Sequence, residues 1–461
     1  MYRLYCRYSI LLLLIFSSLN SQEIPNEHFE FKLTKLYSEM GHDWKENTTF
    51  GPIRYQHKYE KSDSLRTRAR FGTFITKNQK MLYAYGHFTF KKYFHGYLYP
   101  RIVDDPNNFY GYSGIARDID RGGFVSGETD ISGISFENEW MIIQFGRGRQ
   151  SWGAGNDIQL AVSEESNSYD YGMLDLDFEK LKVRYFHGYL ETDSLSVNRY
   201  ITGRGIEWNN NKNLLLGLSE IIIYSGENRP IDFSYFNPMS THLEIELNDR
   251  PNKPGISGGN GVWQFSFDYL LTDKFKFSGN YLFDEFVIDK EQKDEGKGSG
   301  RAYSFKTVYT PVKKEDSYVL CHLSTISVGT NTFRHGKGNN NFVQRNNPLG
   351  WDIGSDSREI NLGLDWLYQK IIITNFNIGI RNIGEKNFIN NLYAPYKDYL
   401  DESFPSGDVE NITFMSSKVQ WWWRPNIAII GQFKYNSSDK LGVKKEGNIG
   451  IDIYYGLDKY L

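Results

Sequence analysis

Polar and apolar positions alternate with a period of two along most of this chain, most clearly over 263–283. Trp263, Phe265, Phe267, Tyr269 and Leu271 are apolar, with Gln264, Ser266 and Asp268 between them. Thr272-Asp273-Lys274 reads as a turn, and Phe275, Phe277, Gly279, Tyr281 and Phe283 then carry the apolar phase. Successive strand side chains point to opposite faces, so this is a hairpin with one apolar and one polar side. Folding about Asp273 sets Leu271 opposite Phe275 and Phe267 opposite Gly279, an aromatic ring covering a glycine. The same period recurs at 82–90, where Tyr83, Tyr85 and His87 take the second face. It recurs at 181–189, with Lys180, Lys182 and Arg184 on the second face, and again at 427–435 and 449–457. No amphipathic helix longer than about three turns emerges.

The connections fall into two kinds. Some are tight, such as 272–274. Others are long and polar: 99–128, 224–261, 289–300, 329–359 and 385–410. A transmembrane antiparallel β-barrel has this asymmetry, with short periplasmic turns and long extracellular loops. An export signal agrees: Arg3 and Arg7 flank the start, 10–16 is unbroken apolar, and small polar residues run through Ser21. This pattern predicts a signal peptide over 1–21, a periplasmic lead-in over 22–65 with a short helix around 34–40, and a barrel over 66–461. No repeat suggests a propeller or solenoid.

Composition changes the picture in two ways. Mean hydropathy is low, −0.54, and no later stretch reaches the ~20 apolar residues of a membrane helix. A barrel escapes that requirement because alternate residues alone meet lipid. Aromatic residues make up 16%, with 33 Tyr and 31 Phe, enough for girdles at both interfaces. The net charge of −3 leaves no basic footprint for nucleic acid.

Candidate chemistry concentrates in QFGRGRQSWGAGND at 144–157. Glycines interrupt the alternation around Arg147, Arg149 and Trp152, and permit close backbone approach. The arginines and the indole either bind carboxylates and sugar faces or brace the lumen against carboxylates such as Glu137 and Glu139. Trp421 and Trp423 share the lipid face beside Arg424-Pro425, which reads as an interfacial girdle at a bulge. Cys321 packs as a small hydrophobe, and His322 points the opposite way, so no Cys–His dyad forms there. Asp104, Asp105, Asp118 and Asp120 read as solvated loop residues. No metal signature appears and no cofactor is implied.

Four stretches resemble the capsule-assembly outer-membrane proteins of the Wzi type. They are FGRGRQSWGAGND with the later LAVS (145–163), GRGIEW with LLLGLSEIIIYSG (203–226), FSYFNPM (233–239) with the acidic residues that follow to 246, and NPLGWDIGSDSREINLGLDW (347–366). The resemblance implies one outer-membrane barrel of about 18 antiparallel strands and a lectin-like, non-enzymatic role in holding capsular or related exopolysaccharide. The matching positions include Arg147, Arg149, Trp152, Arg204, Glu207, Trp208, Glu220, Asp352 and Asp356. Gly146, Gly153, Gly205, Asn237, Pro238, Glu244, Gly354 and Glu359 also match. Glu207, Glu220, Asp352 and Asp356 are expected to partner Arg147, Arg149 and Arg204 in a lumen network. Gly205 and Asn237-Pro238 are expected to steer loops inward to plug the pore. The expected partners are outer-membrane lipid and a surface polysaccharide, with the protein a monomer. A porin or substrate-specific channel, and an outer-membrane enzyme acting on lipid or glycan, are the alternatives.

Overall fold

The computed structural model describes residues 23, 25–42, 44–51, 65–91, 93–119, 121–252, 258–285, 290–314 and 316–460. The expected signal peptide, Asp120 and the terminal Leu461 lie outside them. Alternation becomes an antiparallel sheet closed on itself, with 18 strands. They are β1 Leu65–Thr76, β2 Lys80–Phe90, β3 Phe94–Val103, β4 Ser126–Glu137, β5 Met141–Gly148 and β6 Tyr169–Asp177. Then come β7 Leu181–Thr192, β8 Val197–Asn209, β9 Leu214–Glu227, β10 Asn260–Thr272, β11 Phe275–Glu285 and β12 Gly300–Lys313. The last six are β13 Tyr318–Val328, β14 Ser357–Tyr368, β15 Ile372–Ile383, β16 Glu410–Arg424, β17 Ile427–Ser438 and β18 Gly442–Tyr460. Each pairs with its sequence neighbour, and β1 pairs with β18 from Arg66↔Tyr460 to Thr76↔Gly450.

The two ends differ as the connection lengths predict. One carries the turns 178–180, 210–213, 273–274 and 369–371; the other carries 104–125, 149–168, 228–259, 329–356 and 384–409. The first is the periplasmic end and the second the external one. Along β10, Phe265 and Leu271 are exposed outward while Gln264, Ser266 and Asp268 are buried inside. Phe267 stands opposite Gly279, where an added Cβ would lie 2.5 Å from the ring. At the tip the register differs from expectation. Thr272, not Leu271, faces Phe275, because Thr272 Oγ1 accepts from the amides of Lys274 and Phe275 and leaves Leu271 as a bulge. Trp421 and Trp423 face outward, whereas Trp422 turns inward onto Phe29.

The interior holds more than expected. The described part of the lead-in runs inside the barrel, with a helix, α1, at Phe29–Glu39. Its Leu33 and Leu36, with Met40, pack on Val308, Tyr318, Leu320, Leu367 and Ile373 near the periplasmic turns. Phe50–Gly51 then forms a two-residue ladder with Ser151–Trp152. Loops 149–168 and 329–356 also fold inward and bond to each other through Ser163 N to Leu349 O (2.9 Å) and Trp351 N to Leu160 O (3.1 Å). Gly350 permits that contact, since a Cβ there would sit 1.8 Å from the Leu160 oxygen. Around Trp152, which is fully buried, Phe50, Phe186, Ile201, Ile221, Ile223 and Val262 make a dry core. Trp152→Ala is expected to cost about 3–5 kcal/mol through loss of apolar contact and the cavity left behind. A lowered temperature for loss of the heat-resistant folded band on gels would register it.

Candidate functional site

The plug fills the lumen unevenly. Where it meets β4–β12, its polar groups pair with inward wall residues. Arg149 chelates Asp130 (2.5 and 3.2 Å), and Asp130 also accepts from Arg101 (3.0 Å), which reaches Glu128 and Glu27 as well. Glu207 accepts from Thr49 N and Oγ1 and from Thr48 Oγ1. Lys306 holds Glu39 at 2.9 Å, and Lys276 donates to Ser38 O at 3.0 Å. Losing one partner of such a buried pair leaves an uncompensated charge, so these contacts fix where the plug sits.

Away from the contacts that α1 makes with Tyr318, Leu320, Leu367, Ile373 and Trp422, a gap separates the plug from the remaining wall. One cavity of about 510 Å³ separates α1, 156–165 and 350–352 from β13–β16. A second, of about 340 Å³, continues toward β1–β3, β17 and β18. The two share Asn26, Lys32, Glu164, Glu165, Lys418 and Gln420, so they form one crescent around the plug. The larger part is lined by Asn361, Asn375, Asn377, Ser416, Trp351 and Phe414, with Arg381 on Glu359 (2.6 Å) near the external end. Amide groups donate and accept at once, and aromatic faces offer flat apolar area. Among the described residues no group of three or more His, Cys, Asp or Glu side chains is placed to hold a metal ion.

The residues singled out from sequence divide among three places. Arg149, Trp152, Glu207 and Asp356 are buried structural members of the plug and its wall. Asp356 accepts from Thr330 Oγ1, Ser406 N and Oγ, and the Lys386 amide, tying the loops after β13 and β15 together. Asp352 is exposed and lines the crescent, as does Glu359. Arg147, Arg204, Trp208 and Glu220 belong to the outer wall, and the expected single lumen network does not form. The reason is strand phase: Gln144 and Gly148 point in, so Arg147 points out and lies 3.5 Å from Asp170. Likewise Gly205 packs inward on Phe50, which turns Arg204 outward to Glu220 at 3.2 Å. Trp208, with 42% of its surface exposed, joins the lipid-facing belt. Neither expected brace meets its arginine: antiparallel pairing sets Glu137 beside Ile142, at the turn end that also holds Glu139, while Arg147 stands beside Ser132.

Sequence reading missed two features. The first is the crescent's amide lining, set at inward positions of β14 and β15 in an ordinary alternating pattern that carries no motif. The second is segment 228–252, expected to fold inward with Asn237-Pro238. It folds outward over β7–β9, and Arg204 donates to Asn237 O at 3.0 Å. The run Ile221-Ile222-Ile223-Tyr224 was the signal. A strand apolar on both faces is covered on both faces.

Lys32 stands in the crescent with its Nζ donating to Gln420 Oε1. Burial and the neighbouring Lys418 push its ammonium down to about 7 from an ordinary 10.5. Between those values the unfolded chain binds more protons than the folded one, so this group makes stability rise with pH from about 7 to 10.5. Lys32→Met is expected to flatten that rise relative to the parent. Unfolding midpoints at pH 7, 8.5 and 10 check it.

No protein-family model matches the chain, and no curated protein does. Among solved structures it is similar to Wzi of Escherichia coli, described as a carbohydrate-binding β-barrel of the outer membrane involved in group 1 capsule assembly. That match has a TM-score of 0.58 at 13% identity and covers 86% of this chain and 84% of that one. OprD of Pseudomonas aeruginosa matches with a TM-score of 0.45 at 9% identity, over 86% and 95% of the two chains. OccAB1 of Acinetobacter baumannii gives 0.46 at 9%, over 86% and 96%. At such identities the likeness is one of fold. The chain is a closed 18-stranded β-barrel of the bacterial outer membrane.

Proposed function

We propose that this protein holds a surface polysaccharide, capsular or a related exopolysaccharide, without transforming it. One observation carries the reading: the amide- and aromatic-lined crescent between the plug and β13–β16. A sugar ring offers hydroxyls around its rim and an apolar face, and Asn361, Asn377, Trp351 and Phe414 match both. The plug supports binding over free diffusion, since α1 reaches from Trp422 and Arg70 on one wall to Lys306 on another. The fold likeness to a carbohydrate-binding barrel points the same way.

Purified protein in lipid nanodiscs is expected to retain polysaccharide extracted from its host. Asn377→Ala and Phe414→Ala are each expected to weaken retention roughly fivefold, the effect of about 1 kcal/mol. Absence of retention across a glycan array and host extracts overturns the reading. Planar-bilayer recordings test the channel alternative. Steady single-channel current from the intact chain would establish a pore instead.

A further inference from the structure

We propose that segment 228–252 is a lipid-facing shield, seated in the outer leaflet against the flank of the barrel, and not an extracellular loop. Its inner side lies on outward-pointing wall residues. Tyr235 stacks on Tyr224 at 4.5 Å with an 8° interplanar angle, and Ile245 joins Tyr200, Ile222 and Tyr224 in a buried cluster. Beneath it, Glu220 accepts from His242 N (3.2 Å) and contacts His242 Nδ1 at 2.6 Å, with Arg204 on its other oxygen. A buried ionic group on the outside of a membrane barrel needs a protein cover, because acyl chains cannot solvate it.

Strand geometry gives the depth. A tilted strand climbs about 2.6 Å per residue, so a ~25 Å apolar band spans about ten residues. Counting up from Trp208 and Leu214, beside the periplasmic turn, the band ends near Tyr200 and Tyr224. Arg204 and Glu220 therefore lie near mid-depth, and Glu220 is level with Trp263 of the neighbouring strand. On the far wall, exposed apolar residues fill that height, from Tyr368 up to Ile360. On β8 and β9 the exposed belt stops at Ile206 and Leu218, and the loop takes over above them.

The loop's outer side continues the belt. Met239, Leu243 and Leu247, spaced by four, are 82%, 51% and 82% exposed, and Phe233 is 75% exposed. Leu243 and Leu247 belong to the short helix α2, His242–Leu247, whose His242 and Ile245 face the wall. Of the exposed charges at the end of α2, Glu244 and Arg250 close on each other at 2.6 Å, and Asp249 lies past the helix. An apolar face at this height, joined to the lipid-facing wall below, fits acyl chains.

Spin labels at Leu247 and Met239 in a Cys6→Ser/Cys321→Ser background test this in dimyristoylphosphatidylcholine nanodiscs. Labels at Leu218, in the lipid belt, and Leu441, in the external turn 439–441, serve as references. Collision with oxygen is expected to exceed collision with a water-soluble nickel chelate as it does at Leu218, at a ratio well above that at Leu441. A ratio like that of Leu441 overturns the proposal. Shielding from both reagents also overturns it, since a protein partner would then cover the face. A label at Leu243 repeats the test should labelled Leu247 disturb α2.

Discussion

Pairing of the first strand with the last is the constraint on which the structure depends. Ladder bonds from Arg66–Tyr460 to Thr76–Gly450 remove the two edges that an open sheet would present to hydrocarbon. In lipid each unpaired amide or carbonyl costs several kcal/mol, so an unclosed sheet of this composition has no stable place in a bilayer. Once the cylinder closes, every side chain is committed to one of two media by its parity along the strand. The positions of Arg147, Arg204 and Glu207 all follow from that commitment, whereas Arg149 reaches the lumen because the loop after β5 turns inward.

Parity explains what could be read without a structure. The hairpin 263–283, the outward Trp421 and Trp423, and the split between short turns and long loops required only a period of two and a rule about membrane faces. The tip register slipped by one because the Thr272 hydroxyl competes for two backbone amides, a local effect that alternation does not encode. The candidate site was less legible. Motif matching brought together Arg204, Glu207 and Trp208, but adjacent strand residues cannot share a face. Glu207 entered the lumen, while Arg204 and Trp208 stayed outside.

The dry core was hidden for a related reason. A barrel interior is expected to be polar, yet Ile201, Ile221, Ile223 and Val262 point inward on a part of the wall that the loops cover. Inward loops turn the upper lumen between β6 and β13 into something like the middle of a soluble protein. Its packing rules there are those of a solid interior. Apolar runs such as 221–224 mark where a membrane strand is sandwiched between a plug and an outer cover.

That uneven filling makes the cylinder mechanically lopsided. Strands β6–β12 lean on a packed body, whereas β13–β18 and β1–β3 border the crescent, with α1 packed on β13–β16 near the periplasmic turns. A load that squeezes the barrel, from lateral membrane tension or from a guest entering the crescent, will flex the less filled arc first. Compliance is thus built into the wall that faces the cavity.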